Sequence, residues 1–162
     1  MKAPISIKAK PIWFTLTYAK VNFRQADVLE QCMAKAKEIV LQFVEQINSQ
    51  NVDGLCSLMS EQHRFIDAFG AIVQGREQMR QAWIGYFHLV PDYQILLEEV
   101  FEYGNAVVAF GTAGGTYAPN GELLEQNKWQ VPAAWRASVS DNFLTEWRVY
   151  ADNEPLRQLM RK

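Results

Sequence analysis

Apolar residues recur every three or four positions between residues 28 and 47, and lysine, glutamate and glutamine side chains fill most positions between them. This period is typical of an amphipathic helix that buries one face. Asp27 stands just before the first apolar position, which makes it a suitable N-cap. The polar stretch 48–51 then ends the helix. One long helix is therefore predicted at the start of the folded part.

Two further helices are predicted after it. A short one covers 52–59 and begins near Asn51 or Asp53. A third begins after Gly75 and ends at Pro91, because proline cannot continue a helix. Its apolar face is formed by Met79, Ala82, Trp83, Tyr86, Phe87 and Val90.

The rest of the pattern predicts strands. A small hairpin over 64–74 turns at Gly70, ahead of the third helix. Longer strands follow, separated by glycine, asparagine and aspartate residues that suit tight turns. These strands are predicted at 93–103, 106–118, 128–140 and 143–151. Helices first and a curved antiparallel meander afterwards indicate an α+β fold.

The faces of two strands indicate what covers the sheet. Alternate positions of 129–139 are apolar, so one face of that strand is exposed to water. The segment 106–113 is apolar on both faces, as expected where both sides are covered. Helices cover one side, and a second copy of the sheet is the economical cover for the other. We therefore expect a homodimer.

Composition bounds the remaining possibilities. The 162 residues suit one domain over 27–162, preceded by an extension, 1–26, whose aromatic stretch 13–23 could add a strand. The net charge of −2 gives no basic field for nucleic acid or an anionic membrane, so neither partner is expected. No apolar run near the start is long enough for a signal peptide or a membrane span, which favours a cytoplasmic protein with reduced thiols.

Candidate cofactor and metal motifs are absent from the sequence. It contains no glycine-rich nucleotide loop and no nucleophile elbow. Neither His63 nor His88 has a His or Cys at ligand spacing, and Cys32 falls on the apolar face of the first helix. We expect no metal and no cofactor. The 20 Trp, Tyr and Phe residues suggest a pocket as well as a core.

The order of these elements, three helices with a hairpin between the second and third and then a meander, resembles the nuclear transport factor 2-like cone fold. Within that superfamily the chain resembles the ketosteroid-isomerase-like, SnoaL-like branch. The resemblance spans about residues 34–160 and leaves the extension unmatched. It rests on the order and spacing of 40–48, 51–59, 65–70, 75–77 and 145–152.

The resemblance implies a carboxylate base in the first hairpin strand, which here is Asp67. The residues around Asp67 are compatible with such a base. Phe65 and Phe69 flank it, and desolvation by these rings would raise its pKa toward a value useful for proton transfer. The alternative is an outward Asp67 paired with Arg64 or Arg76. His63, four residues earlier, is a candidate partner for Asp67.

The same resemblance argues against an intact steroid isomerase. Those enzymes place a tyrosine on the first helix and an aspartic acid on a late strand, where this chain has Phe43 and the stretch 131–136 without a carboxyl group. Tyr86, Tyr117, Trp129 or Trp147 could substitute as the donor. The residues expected to line the pocket are Phe43, Phe65, Phe69, Trp83, Tyr86, Phe87, Tyr117, Trp129, Trp135 and Trp147.

Three functions remain open at this point. The first is binding of a small apolar molecule in a cone-shaped pocket, with proton-transfer catalysis by Asp67 of the isomerase, dehydratase or cyclase type. The second is a non-catalytic ligand-binding or dimerisation domain that has lost the oxyanion donors. The third is a protein-protein adaptor of the transport-factor kind, which ranks last.

Overall fold

The computed structural model of the protein describes the backbone of residues 23–161 and the side chains of residues 35–161. Residues 1–22, most of the predicted extension with its aromatic stretch, and the side chain of Cys32 lie outside the described part. The elements in chain order are α1 (Phe23–Asn48), α2 (Val52–Leu58), β1 (Met59–Ile66), β2 (Ile72–Gln74), α3 (Arg76–Leu89), β3 (Gln94–Tyr103), β4 (Ala106–Thr116), a 3₁₀ turn (Glu125–Asn127), β5 (Lys128–Ser140), β6 (Phe143–Ala151) and α4 (Glu154–Met160).

The helices follow the predicted pattern with two corrections. α1 is already helical at Phe23, four residues before the predicted cap Asp27, because nothing between these residues breaks a helix. Asn51 caps α2 as predicted, since its side-chain oxygen accepts the N–H of Gly54 at 3.0 Å. The fourth helix, α4, was not predicted; it carries a proline in its first turn, a position that helices tolerate.

The six strands form one sheet in the order β2-β1-β6-β5-β4-β3. The meander from β3 to β6 is antiparallel, as the turn residues predict. The expectation of a wholly antiparallel sheet is wrong, because β1 lies parallel to β6, with Arg64 opposite Glu146. Only distant parts of the chain meet in this pairing, so no local turn signal announces it. The sheet is therefore mixed, and the α+β fold class is confirmed.

The inner face of the sheet packs against the helices. Every second residue of β5 faces inward along the whole strand. The buried apolar side chains of α1 cover these inward residues. Gly111 lies in β4 beside the bulge of β3, where a Cβ atom would collide with the carbonyl oxygen of Leu96. Glycine permits this close approach of the two strands. The sheet can thus curve around the helices and enclose space beneath them.

Candidate functional site

A cavity of about 280 Å³ lies between α3 and the inner face of the sheet. α3 contributes Met79, Ala82, Trp83 and Tyr86, and the sheet contributes rings from β1, β5 and β6. Ten of the lining residues are half-buried, and four of these lie in the loop after β1 and at the start of α4, a side that we call the opening: Asp67, Ala68, Asn153 and Leu156. The buried lining residues at the inner end include Trp83, Tyr93, Trp129 and Trp147.

Small residues create the empty space. Five alanines line the cavity, and four of them belong to four different elements of the wall. These are Ala82 of α3, Ala113 of β4, Ala133 of β5 and Ala151 of β6. Because their side chains end at Cβ, the surrounding aromatic rings enclose a void instead of meeting. The cavity therefore exists because small residues occupy inward-facing positions of its walls.

Asp67 lies just after β1, at the opening of the cavity. Its Oδ1 accepts the backbone N–H groups of Phe69 and Ala71, at 2.9 and 2.8 Å. The backbone N–H of Asp67 also donates to the carbonyl of Ala71 at 3.0 Å. These bonds fix the orientation of the carboxylate. The environment of Asp67 is half-buried and polar, which differs from the apolar setting expected from its flanking phenylalanines.

A continuous row of rings forms one side of the cavity, and we call it the aromatic wall: Trp83, Tyr86, Tyr93 and Trp129. Ring centroids are 6.1 Å apart between Trp83 and Tyr86, and 5.0 Å apart between Tyr86 and Tyr93. Tyr93 then stacks on Trp129 at 6.1 Å. Such edge-to-face and stacked pairs add to the stability that burial alone provides.

Two donors of the aromatic wall have no partner among the described residues. The indole N–H groups of Trp83 and Trp129 are buried and unbonded. An indole nitrogen can only donate, and leaving such a group unpaired costs about 1–3 kcal/mol. The cavity lining therefore contains more hydrogen-bond donors than the protein itself satisfies.

The two tyrosines of the wall keep their protons. Burial raises the pKa of both Tyr86 and Tyr93 well above the ordinary value of 10.0, and the proximity of Tyr93 adds to the shift at Tyr86. Neither hydroxyl is bonded to another residue that the structure describes. Both remain neutral O–H donors over the whole working range of pH.

Six residues of the predicted site line the cavity, and six do not. Those that line it are Phe65, Asp67, Trp83, Tyr86, Trp129 and Trp147. Those that do not are Phe43, His63, Phe69, Phe87, Tyr117 and Trp135. The second group divides into side chains packed deeper in the core and side chains beyond the ends of the strands.

Three aromatic residues belong to the core. Phe43 is fully buried and packs against Trp83 and Trp147, with ring centroids 6.4 and 5.3 Å apart. Phe87 stacks on Trp83 at 5.1 Å, and Trp135 stacks on Trp147 at 6.3 Å. These three rings support the lining rings from the core and do not themselves line this cavity.

Two other aromatic residues lie beyond the strands that precede them. Phe69 is 62% exposed in the loop after β1, and the Arg157 guanidinium lies 5.0 Å from its ring centroid. Tyr117 follows β4, and its backbone N–H donates to the carbonyl of Asn127 at 3.0 Å. Strand alternation does not extend past a strand end, so it could not place either ring in the cavity.

His63 is fully buried, away from the cavity. Its Nδ1 lies 2.9 Å from the carbonyl oxygen of Leu144, which can only accept, so Nδ1 carries the proton. Nε2 has no partner among the described residues, and burial lowers the pKa of the imidazole below 6.5. The structure therefore does not bring His63 to the carboxylate of Asp67 as a catalytic partner.

Sequence reasoning missed Tyr93, which follows the end of α3 and precedes β3. Tyr93 could have been found from strand alternation, because Tyr93 and Ile95 are two positions apart and both are buried on the inner face. The unpredicted α4 also contributes, because Leu156 lines the opening. Asp152 has a structural role, because its Oδ1 accepts the N–H of Glu154 at 3.0 Å, at the start of α4.

The part of the chain that the structure describes offers neither a metal-binding cluster nor a membrane-spanning helix. No cluster of three or more His, Cys, Asp or Glu side chains able to hold a metal ion occurs in this part of the chain. Among the helices that the structure describes, none combines the length and the apolar character needed to cross a bilayer. His88 is exposed near the end of α3, as expected for a surface histidine.

The sequence profile of the SnoaL-like domain matches residues 40–147, two-thirds of the chain and every element from the middle of α1 to β6. The chain belongs to the SnoaL-like domain family. The family resemblance inferred from the sequence is thereby confirmed. No curated protein matches the sequence.

Solved structures show the same cone fold for this SnoaL-like chain. A protein classed as a SnoaL-like polyketide cyclase from Jannaschia sp. CCS1 is 20% identical, with a TM-score of 0.68 over 79% of this chain and 92% of that chain. An LEH-like epoxide hydrolase from M. tuberculosis is 15% identical, with a TM-score of 0.67 over 80% and 92%. A ketosteroid-isomerase-like protein from Catenulispora acidiphila DSM 44928, in complex with trimethylamine, is 21% identical, with a TM-score of 0.61 over 70% and 84%. At these identities the similarity shows the fold alone.

Proposed function

We propose that this SnoaL-like domain binds a small, mostly apolar molecule in the cavity beneath α3. The observation that carries the proposal is a cavity of about 280 Å³ whose walls are mostly apolar side chains, with Asp67 at its opening. Pockets for drug-sized ligands usually measure roughly 300–1,000 Å³, so the bound molecule is small. Related folds classed as polyketide cyclases and epoxide hydrolases support an apolar ligand.

We further propose that Asp67 abstracts a proton from a carbon atom of this molecule. Two backbone N–H groups hold Oδ1, and Oδ2 has no bond to any described residue. A carboxylate anchored through one oxygen and free at the other, beside an apolar cavity, suits a general base. The reaction class is proton transfer of the isomerase, dehydratase or cyclase type.

Binding is tested by filling the cavity. Ala82→Phe on α3 places a ring in the space, whereas Ile84→Phe changes an exposed residue of the same helix and serves as the matched control. The probe is 2-indanone, a small bicyclic ketone, followed by NMR titration. We expect it to shift the resonances of lining residues in the wild type and in Ile84→Phe, and not in Ala82→Phe. Equal shifts in both variants would contradict binding in this cavity.

Catalysis is tested with the same probe. The protons beside the carbonyl of 2-indanone exchange with D₂O when a base removes them, and the rate follows from mass spectrometry. Asp67→Asn should lower the protein-catalysed rate by about 100-fold or more. Asp152→Asn is the control, because that carboxylate caps α4 and does not line the cavity. An unchanged rate in Asp67→Asn leaves the non-catalytic ligand-binding domain as the function.

We propose, in addition, that the outer face of the sheet meets a second copy of the chain. Phe101 and Phe110 lie on this face with ring centroids 6.2 Å apart, and both are more than 40% exposed. Leu96 and Tyr150 extend the apolar surface. Phe110→Glu should convert a dimer to a monomer in native mass spectrometry, while Phe69→Glu, an exposed residue near the cavity opening, should not. A monomeric wild type would overturn this proposal.

A further inference from the structure

The outer face of the sheet carries a pattern of charge as well as an apolar surface. Residues paired across neighbouring strands point to the same side, so the register arranges the outward side chains in rows. One row, read from β3 to β6, contains Glu99, Phe110, Ala134 and Tyr150. The next row contains Phe101, Val108, Arg136 and Arg148. In these two rows the acidic side chain therefore lies on β3, the basic side chains lie on β5 and β6, and apolar residues separate them.

Two of these charges have no opposite charge beside them in the chain. Arg136 and Arg64 share the carboxylate of Glu146, at 2.8 and 3.6 Å. Neither Arg148 nor Glu99 forms an ion pair with any residue that the structure describes. The guanidinium of Arg148 instead lies over the ring of Tyr150, 5.2 Å from its centroid. This contact carries the positive charge of β6 toward the row that contains Glu99.

The direction of a two-fold axis decides which of these side chains meet when two copies pack face to face. An axis that runs along the strands, between β4 and β5, places β3 of one copy over β6 of the other and β4 over β5. Phe110 then faces Ala134 of the partner subunit, so a large side chain lies over a small one. In the same row Glu99 faces the position where the guanidinium of Arg148 lies over its tyrosine.

An axis that runs across the strands gives the opposite result. It places β3 over β3 and β6 over β6, so Glu99 meets a second carboxylate and Arg148 meets a second guanidinium. Like charges that face each other across an interface oppose association. The pattern of charge therefore favours the axis along the strands.

We propose that two copies of the chain pack with their two-fold axis along the strands, and that Glu99 of each copy forms an ion pair with Arg148 of the partner subunit. The inference rests on the proposed association through the outer face and names the contact that fixes its arrangement. Because the axis is two-fold, every dimer contains this pair twice. The apolar residues between the two pairs supply contact area, and the charges select one way of placing it.

Charge reversal tests the pairing. Arg148→Glu brings two carboxylates together at each pair, and Glu99→Arg brings two guanidinium groups together. Each variant alone should raise the dissociation constant of the dimer at least about tenfold, as measured by sedimentation equilibrium. A mixture of the two variants should recover the affinity, because a mixed dimer has opposite charges at both pairs. Native mass spectrometry with one variant labelled with ¹⁵N should show the mixed dimer in excess over either homodimer.

Glu122→Arg is the matched control. Glu122 is exposed in the loop between β4 and β5, outside both rows, and its reversal changes the net charge by the same amount as Glu99→Arg. A mixture of Glu122→Arg with Arg148→Glu should not recover the affinity. Placing Glu99→Arg and Arg148→Glu in one chain should recover it, because that chain pairs with itself. This double variant also shows that neither substitution acts by unfolding the chain.

Two results would overturn the inference and leave the proposed association intact. One is a wild-type dimer whose mixed variants associate no better than the Glu122→Arg control. The other is a preferred mixed dimer of Glu99→Arg with the wild type, which would assign the axis across the strands. A monomeric wild type would instead contradict the association through the outer face itself.

Discussion

Around Phe43, aromatic rings fill the space between α1 and the sheet, whereas around Tyr86 they enclose a cavity of about 280 Å³. Both regions lie on the inner face of the same sheet and share Trp83 and Trp147 between them. The difference comes from the neighbours. Val40 and Ile47 lie about one helical turn from Phe43 and are fully buried, whereas the cavity lined by Tyr86 includes five alanines. An inward ring thus becomes core or pocket according to the size of the residues opposite it.

The sharpest test of this comparison is the cost of removing a ring from each region. Phe43→Ala should lower the free energy of unfolding by about 3–5 kcal/mol, because it opens a void in close-packed surroundings. Phe65→Ala removes a half-buried ring that already borders empty space, so the loss should be about 1–2 kcal/mol. Urea unfolding followed by circular dichroism measures both. Equal losses would mean that the two regions are packed alike.

The core carries a pH dependence of its own. Burial lowers the pKa of His63 below 6.5, so the unfolded chain binds more protons than the folded one as the pH falls below that value. Stability is therefore full above pH 6.5 and declines below it, with a slope of at most about 1.4 kcal/mol per pH unit for this one group.

His63→Gln should remove this part of the slope between pH 7.5 and 5, as measured by urea unfolding at each pH. His88→Gln replaces an exposed histidine and serves as the control. A slope that persists in His63→Gln and disappears in His88→Gln would place the titrating group at the surface instead of in the core.

The smallest effect is expected outside both regions. Phe69 is exposed in the loop that carries Asp67, and its ring contacts Arg157 of α4. A cation–π contact at an exposed site contributes about 0.5–1 kcal/mol. Phe69→Ala should lower the free energy of unfolding by no more than that and leave the affinity for 2-indanone unchanged. A loss as large as that of Phe65→Ala would show that Phe69 packs inside the cone in solution.

The sequence predicted the fold closely where local signals determine it. β5 and β6 have the predicted bounds, because Asp141 and Asn142 adopt the positive φ angles that a tight turn requires. α4 was missed because Pro155 follows a strand end and was not taken as the first turn of a helix. The parallel pairing of β1 with β6 has no local signature.

The site was predicted only in part, since alternation identifies the inner face of a strand but not the depth along it. Trp129 and Trp135 are both inward on β5, yet only Trp129 reaches the cavity. Whether an inward ring of a strand reaches the cavity depends on which helix lies opposite it. The position of that helix is determined only by the assembled fold. Asp67 was located because its position after the hairpin strand carries over from the family pattern.

The parallel contact between β1 and β6 has a consequence for synthesis of the chain. The hydrogen bond from His63 to Leu144 joins residues 81 positions apart. The ribosome releases the loop that carries Asp67 long before the strand that lies beside it, and domains generally fold as units. Long-range pairing of this kind also slows folding. The cavity beneath α3 therefore forms only after β6 has emerged, and a nascent chain that stops before β6 contains Asp67 without a complete cavity beside it.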